Sequence, residues 1–477
     1  MSFRTSPPVK SSPFDIVRRS CLQPGGLPFA NALTPEHIEQ AWEAEGGSFG
    51  GADPQTVYTP GIVLWAMLSQ ALFTGVGRSC RAAVIRVAAY YALLGQSVST
   101  NTGAYCRARA KVGEGVVRRL MEGVAERAEA EVPADWKWLG RTVFIPDGTT
   151  HSMPDTQANQ AEYPQSKSQK PGIGFPLMRT VALVSLATGM VRAFATAPYA
   201  GKETGETALL RSLFGSPRPG NVVLGDRYYC GWFMLALLQR LGVDFVVRLH
   251  QHRKADFRRG RRLGPHDHIV AWKKPQRPEW LDQETYDKLP PELEVREVHV
   301  GINTPGCRTQ SLVVVTSLQD AGEVGSEDLA DLYRQRWRVE LHLRDIKSTM
   351  ELDVLRGLTP AMVRQELWTG LLAYNLVRQS LLQSAAASGE YPQHLSFTAN
   401  LQMLTTTWLL AAFPEAATVT PREVALALLR LTSGASHRVG LRPDRVEPRA
   451  IKRRKTTHKL LTVPRAAAQA KLLNDAA

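Results

Sequence analysis

The spacing of apolar residues changes along the chain. From Tyr58 to about Arg127 they recur every three or four residues in stretches broken by glycines, which predicts a bundle of short helices. From Arg141 they gather in short runs bounded by turn residues, which is typical of buried strands. The first 45 residues or so are rich in proline, serine and glycine around one predicted helix, and we expect a leader there.

The runs after Arg141 predict the order strand, strand, strand, helix, strand, helix, strand. The segments are RTVFIPD, FPLMRTVALVSLATG, MVRAFATAPY, TGETALLRSLF, VVLGD, CGWFMLALLQRLG and VDFVVRL. This order is that of a ribonuclease H-like α/β core. Function does not follow from it, because one fold supports many activities.

The alternation of strands and helices stops between about His250 and Gly325. Runs of β type there predict an inserted, strand-rich subdomain. Beyond it, residues 360–385 are predicted to form an amphipathic helix that packs on the sheet, and a helical hairpin follows. The tail from about Ser436 is basic and punctuated by prolines, which predicts an extended segment.

The charge of the chain favours a polyanionic partner. Its 477 residues carry 58 Lys and Arg against 44 Asp and Glu, a formal net charge of +14. Nucleic acid fits this charge best, while an anionic membrane and a merely soluble basic protein remain as alternatives. The sequence contains neither an apolar run of the ~18–20 residues that span a bilayer nor an apolar signal-peptide core. We therefore expect a cytoplasmic protein without a membrane partner.

The five cysteines are odd in number and scattered, with no CxxC pair. They are interpreted as reduced thiols, which excludes a disulfide framework and a zinc site of the usual kind. Four histidines lie between residues 250 and 268, inside an arginine-rich tract. Without a cysteine or carboxylate partner they indicate a surface that faces a polyanion rather than a metal site.

Cations cluster in three places. The helical region carries five on one segment, where a DNA-binding face and a solvated basic face are about equally good interpretations: Arg107, Arg109, Lys111, Arg118 and Arg119. The inserted segment and the tail supply the other predicted DNA contacts: Arg253, Lys254, Arg258, Arg259, Lys452, Arg453, Arg454 and Lys455. A nuclear-import signal is the weak alternative for the tail cluster.

Two aspartates each end an apolar run, Asp147 in FIPDGTT and Asp226 in VVLGDRYY. Taken singly, turn chemistry explains the first and a local ion pair with Arg227 explains the second. A third acid, Glu340, lies in YRQRWRVELHLRDIK. Three carboxylates at one edge of a ribonuclease H-like sheet are what two magnesium ions require. Such a pair of ions supports displacement at a phosphodiester, by water or by a DNA 3′-hydroxyl.

Glu340 is surrounded by cations at helical spacing. On one continuous helix the polar residues would stack along one face at steps of three and four: Tyr333, Arg336, Glu340, Arg344 and Lys347. A surface helix with an ordinary Glu–Arg pair, worth only ~0.2–0.5 kcal/mol, is the alternative. The two upstream aspartates favour a functional site instead, in which the cations hold phosphates and Tyr333 holds a phosphate or a displaced base.

These residues resemble a known family. The pattern Y-x2-R-x3-E-x6-K is matched without departure by Tyr333, Arg336, Glu340 and Lys347. It is the YREK signature of the bacterial insertion-sequence transposases of family four, a branch of the DDE transposases. The stretches DGTTHSMPDTQANQAEYPQ, QKPGIGFPLMRTVALVSLATG and GDRYY are also similar to that family.

The resemblance implies a cut-and-paste transposase whose Asp147, Asp226 and Glu340 hold two Mg²⁺ ions, with Mn²⁺ able to substitute. It implies nicking of one strand, hairpin formation, reopening of the hairpin and transfer to target DNA. It also implies a homodimer bridging double-stranded transposon ends, located on the bacterial nucleoid when bound to DNA. Relatives receive a flipped base on a tryptophan of the insertion, and Trp272 and Trp280 are the candidates for that role here.

The fold expected is α/β: a ribonuclease H-like mixed-sheet catalytic core interrupted by a strand-rich insertion, with an N-terminal helical DNA-binding domain and a basic C-terminal helical region. The predicted boundaries are 1–45 for the leader, 46–130 for the helical domain, 131–249 and 326–415 for the core, 250–325 for the insertion, and 416–477 for the C-terminal region. Two other functions remain open: a DDE-type nuclease or domesticated relative that does not join strands, and a DNA-binding protein with a dead site. The intact triad argues against the second.

Overall fold

The computed structural model describes residues 32–46, 57–93, 97–301, 311–410, 433, 438 and 462–475. It divides into two compact units. The helical unit comprises the described residues within Met1–Glu131, Asp345–Leu352 and Ala361–Val439. The sheet unit comprises those within Val132–Arg344, Asp353–Pro360 and Gly440–Ala477.

The helical unit contains seven α-helices among its described residues. They are α1 (Pro35–Glu43), α2 (Pro60–Leu72), α3 (Cys80–Leu93), α4 (Thr102–Ala110), α5 (Glu114–Glu131), α12 (Pro360–Ser388) and α13 (Phe397–Leu410), with 3₁₀ turns at Gly75–Arg78 and Pro392–His394 and a π-helical turn at Asp345–Thr349. The predicted N-terminal helices are confirmed, and α12 begins in the sheet unit at Pro360.

Local sequence explains where these helices begin. The hydroxyl oxygens of Thr34 and Thr59 accept backbone N–H groups of the first turns of α1 and α2, and Asn101 does the same for α4. Pro35 and Pro60 occupy the first helical positions, where a missing N–H is harmless. The caps therefore place the helix starts, and apolar packing holds the helices together.

The long helix α12 differs from its predicted role. It groups with the N-terminal helices and not with the sheet, unlike the predicted core boundary at 326–415. It is also buried on all sides from Leu367 to Leu382, so the predicted amphipathic face is wrong. Its polar side chains satisfy backbone groups of other helices: Gln365 Nε2 donates to the carbonyls of Arg109 and Val112, both at 2.7 Å. The sequence alone does not distinguish a buried amide that has such partners from an amide that faces solvent.

The sheet unit contains nine strands and seven α-helices among its described residues. They are β1 (Val143–Ser152), α6 (Gln157–Glu162), β2 (Leu177–Ser185), β3 (Val191–Pro198), α7 (Glu206–Ser212), β4 (Val222–Gly225), α8 (Trp232–Arg240), β5 (Asp244–Arg248), β6 (Arg261–Gly264), β7 (Asp267–Lys273), α9 (Gln283–Lys288), β8 (Glu292–Gly301), β9 (Ser311–Thr316), α10 (Ser326–Gln335), α11 (Arg338–Arg344) and α14 (Arg465–Asp475), with 3₁₀ turns at Ala134–Trp136 and Arg227–Tyr229.

All nine strands form one mixed sheet in the order β3-β2-β1-β4-β5-β9-β8-β7-β6. β1 pairs in parallel with β4, and β4 in parallel with β5, while β1–β2 and β2–β3 are antiparallel. The predicted α/β class and the predicted order of strands and helices after Arg141 are confirmed, with the short helix α6 added. Apolar residues of α7 and α8 pack against the strands and bury the sheet.

The strand-rich segment continues the same sheet. β9 pairs with β5, and β8, β7 and β6 follow outward. Its interior holds charged groups: Arg296 is fully buried and donates Nε and Nη2 to the Asp267 carboxylate at 2.9 and 2.6 Å. The guanidinium also donates to the carbonyl of Val324 at 2.7 Å, so all partners of this buried charge come from the segment and the loop after it.

Across the described ranges, no helix combines the length and the apolar content needed to cross a lipid bilayer.

Candidate active site

Asp147 lies inside β1 rather than at its end. β1 runs on to Ser152 and pairs residue by residue with β2, with Asp147 opposite Ala182. The carboxylate is half-buried, and its Oδ1 accepts the N–H of Gly148 at 2.9 Å. The interpretation of this Asp-Gly pair as a turn is therefore excluded, and the glycine at position 148 does not serve a turn.

Asp226 follows the end of β4, as predicted. It caps the 3₁₀ turn Arg227–Tyr229, and its Oδ1 accepts the N–H of Tyr228 at 2.6 Å. In the parallel pair of β1 and β4, Phe144 lies opposite Val223. Asp147 and Asp226 each come three residues after these partners. The two residues therefore lie at the same height along the neighbouring strands β1 and β4.

The segment with Glu340 is not one continuous helix. α10 ends at Gln335, Arg336 and Trp337 form a turn, and α11 begins at Arg338. Backbone bonds of the i→i−3 type run from Arg336 N to Tyr333 O and from Glu340 N to Trp337 O, at 3.1 and 3.2 Å. The predicted helix is therefore interrupted at Arg336 and Trp337, although the Arg336–Glu340 pair expected from helical spacing is present.

The charge of Glu340 nevertheless acts on the first aspartate. α11 packs against β1, and the Glu340 carboxylate accepts Nη2 of Arg336 at 3.2 Å. Burial raises the pKa of Asp147 to about 6, the Gly148 N–H and Arg336 lower it, and the charges of Glu340 and Glu206 raise it further. Arg336 and two further carboxylates therefore act on Asp147.

Tyr333 is buried next to these groups. The residue is 7% exposed, so its ring offers little open surface to a displaced base. Burial raises its pKa to about 12, Arg336 and Arg248 lower it, and Asp226 raises it. Arg248, the last residue of β5, was missed by the sequence reasoning, although a cation closing a strand next to the one that leads to Asp226 was a usable signal.

The last two cations of the motif have different surroundings. Arg344 is exposed at the end of α11. Lys347 is half-buried in the π-helical turn, which belongs to the helical unit. Of the motif residues, Arg336 and Glu340 act electrostatically on Asp147, and Asp226 acts on Tyr333.

The two candidate tryptophans both contact an arginine within the sheet unit. Trp272 is 5% exposed, donates Nε1 to Glu297 at 3.0 Å and carries the guanidinium of Arg253 at 4.0 Å from its ring centroid. Trp280 is half-buried, with the guanidinium of Arg211 at 3.7 Å from its ring centroid. Each ring therefore has a guanidinium over one face.

The cations predicted to bind DNA fall into distinct groups. Arg258 and Arg259 are exposed and share Asp256, whose pKa the hydrogen bond from Arg258 lowers to about 2. Lys254 is exposed, whereas Arg253 covers Trp272. The tail cluster lies outside the described residues: Lys452, Arg453, Arg454 and Lys455.

In the helical unit the basic cluster is divided. Arg109 Nε donates to the Gln365 amide oxygen at 3.0 Å, so this cation is structural. Arg118 and Arg119 form ion pairs with glutamates of the same unit. Arg107 and Lys111 line a cavity of about 790 Å³.

The donor set fits a hard divalent cation. Carboxylate oxygens are the ligands that magnesium prefers, and the half-buried acids around Asp147 leave negative charge for a cation to balance. Within the described ranges, no three acidic, histidine or cysteine side chains already converge as a metal site. Asp147, Glu340 and Glu206 thus lie within electrostatic reach of one another, but the described residues form no closed metal site.

Comparison with known proteins gives three findings. A family model described as "Transposase DDE domain" matches residues 138–376, which include all three acids. The transposase InsG for insertion sequence element IS4 of Escherichia coli (strain K12) is 30% identical over 363 residues, 73% of this chain and 75% of that protein. The putative transposase InsZ of the same strain is 28% identical over 138 residues, 29% of this chain and 45% of that protein.

Among solved structures, the piggyBac transposase in a synaptic complex with hairpin DNA aligns with a TM-score of 0.40 and 11% identity, over 87% of this chain and 85% of that one.

Proposed function

This chain belongs to the DDE transposases, and we propose that it excises an insertion sequence by nicking, hairpin formation and hairpin opening, and then joins it to target DNA. The observation that carries the proposal is that Asp147 on β1 and Asp226 directly after β4 each come three residues beyond the paired Phe144 and Val223. Glu340 lies on a helix packed against β1. We assign β1 to β5 to a ribonuclease H-like core on the same ground.

Asp147, Asp226 and Glu340 would hold two Mg²⁺ ions, for which Mn²⁺ would substitute. When bound, the ions supply activation of the attacking oxygen and stabilisation of the leaving oxygen. The chain's own acids contribute negative charge that is partly shielded from water, as the raised pKa of Asp147 indicates. Partial burial strengthens their attraction for a divalent cation.

Arg336 has two roles in this proposal. In the structure it pairs with Glu340 and lowers the pKa of Asp147, so it compensates the acids in the absence of metal. With metal and DNA bound, its guanidinium is free to hold a phosphate beside the scissile one, with Arg344 and Lys347 supplying further phosphate contacts. Tyr333, being buried, would position Arg336 rather than stack on a base.

DNA is the proposed partner of several basic surfaces. Arg258 and Arg259 are exposed on the loop before β6, and Arg107 and Lys111 line the cavity of the helical unit. Contacts of this kind to phosphates are independent of sequence and weaken with salt. We propose that two copies of the chain bridge two transposon ends, on the nucleoid of a bacterial cell.

The test is a cleavage assay with labelled transposon-end DNA and Mg²⁺. We expect nicked, hairpin and joined products from the natural protein and none from Glu340→Gln. Glu327→Gln, an exposed glutamate in the first turn of α10, is the matched control and should retain all products. Nicked DNA without hairpins or joined products would instead favour a DDE nuclease, and full activity of Glu340→Gln would remove Glu340 from the mechanism.

A further inference from the structure

Gly148 has a close neighbour on its open side. A Cβ atom built on it would lie 2.3 Å from Cδ and 2.6 Å from Cγ and Oε1 of Glu206. Real Cβ atoms essentially never approach other atoms below 3.0 Å. The carboxyl group of Glu206 therefore occupies the space that a side chain after Asp147 would fill, and the glycine is explained by this approach.

Glu206 is half-buried at the first position of α7, and other charged groups of the site act on it. Burial raises its pKa, Arg179 lowers it and the charge of Asp226 raises it. Arg179 is itself fixed by a hydrogen bond from Nη1 to the carbonyl of Thr204 at 3.1 Å. Glu206 thus contacts the strand of Asp147 and lies within the electrostatic reach of Asp226.

Tyr229 supplies an independent observation. It is 3% exposed, its ring packs in the apolar cluster of the sheet, and its hydroxyl has no hydrogen-bond partner. Its pKa is raised by burial and then by the charges of Glu206, Asp147 and Asp226, so these three acids lie within electrostatic reach of the hydroxyl. Leaving a buried donor without a partner is unfavourable, and a partner brought into place by a bound ligand would remove this cost.

We propose that Glu206 is a fourth carboxylate ligand for a divalent cation held beside Asp147 and Asp226, and that the Tyr229 hydroxyl donates to one of these carboxylates when the cation is bound. The inference rests on the proposed function and extends its metal site. A first-turn glutamate that only stabilises a helix is the competing explanation for Glu206. That explanation predicts no change in cation affinity and leaves the Tyr229 hydroxyl unexplained.

The test is calorimetric titration of MnCl₂ into the full-length protein without DNA. Glu206→Gln should weaken Mn²⁺ binding by roughly 10-fold or more, or remove one site. Gly148→Ala should weaken it as well, because its new Cβ displaces Glu206 without removing the carboxylate. Tyr229→Phe should have a smaller effect in the same direction, and Glu327→Gln should titrate like the natural protein.

The outcomes separate this inference from the function on which it rests. If Asp226→Asn loses Mn²⁺ binding while Glu206→Gln and Gly148→Ala titrate like the natural protein, the fourth ligand is refuted and the three-acid site stands. If the natural protein binds no Mn²⁺ and cuts no transposon-end DNA, the proposed function fails too. Circular dichroism spectra and melting temperatures identify any variant that does not fold, and the remaining variant of the pair then decides.

Discussion

Replacing Asp147 by asparagine is expected to stabilise the metal-free protein at pH 7 while abolishing DNA cleavage. The side chain is half-buried beside Glu340 and Glu206, and burial raises its pKa from the ordinary 3.8 to about 6. The ionised carboxylate is therefore destabilising in the folded state. Asparagine keeps the shape and can still accept the N–H of Gly148, but it carries no charge.

The size of the effect follows from that difference in pKa. At ~1.36 kcal/mol for each pKa unit, the change from 3.8 to about 6 corresponds to roughly 3 kcal/mol. Solvent reaches part of the carboxyl, so we expect a gain of ~1–3 kcal/mol in the free energy of unfolding. Because the folded pKa of Asp147 is raised, its ionisation is destabilising in full above about pH 6, and the effect fades as the pH falls toward 3.8.

Urea unfolding at pH 7 and pH 5, with EDTA or with Mg²⁺, measures this directly. Without metal, the variant should unfold at a higher urea concentration at pH 7, and the difference should narrow at pH 5. Mg²⁺ should stabilise the natural protein more than the variant, since a ligand stabilises the state that binds it. Asp135→Asn, at an exposed position, is the control and should change stability by less than ~0.5 kcal/mol. A variant no more stable than the natural protein at pH 7 without metal would refute the reasoning.

Three further changes test other parts of the structure. Arg296→Met should lower the free energy of unfolding by ~3–5 kcal/mol in urea, because it leaves the Asp267 carboxylate buried without its cation; a loss below ~1 kcal/mol would contradict this account of the pair. Gln365→Leu should cost ~1–3 kcal/mol in the same measurement, because two backbone carbonyls lose their donor, and an unchanged midpoint would show that water replaces it. Changing Arg258 and Arg259 together to alanine should flatten the dependence of log Kd on log salt by roughly 2 in fluorescence anisotropy with duplex DNA, and an unchanged slope would mean that neither contacts phosphate.

The sequence was most informative where apolar runs and turn residues agreed. The order of strands and helices after Arg141 and the position of Asp226 after β4 followed from that agreement. β1 was predicted too short because Asp-Gly is a common turn pair, yet pairing with β2 carries the strand through Gly148 to Ser152. There, pairing with β2 outweighed the local preference of Asp-Gly for a turn, and the apolar run of β1 alone does not reveal its partner strand.

Other features depend on contacts that spacing does not encode. The helical period through Glu340 was visible, but the turn at Arg336 and Trp337 arises from a change of backbone hydrogen bonding. The sequence indicated only that Glu206 lies at the start of a helix. Its approach to Gly148 could not be predicted, because the two residues are far apart in sequence. For the same reason α12 was predicted to be amphipathic, although polar side chains such as Gln365 are buried and paired.

The pairing of β5 with β9 has a consequence for when the sheet is completed during protein synthesis. β5 ends at Arg248 and β9 begins at Ser311, so their pairing brings together the two ends of a long stretch of chain that contains β6, β7 and β8. Bringing such distant strands together has an entropic cost that precedes their contacts, and sheets built this way fold slowly. On the ribosome, Asp147 and Asp226 emerge well before Glu340. A nascent chain therefore carries two of the three acids on an unfinished sheet, and the proposed site stays incomplete until β9 and the helices after it have been made.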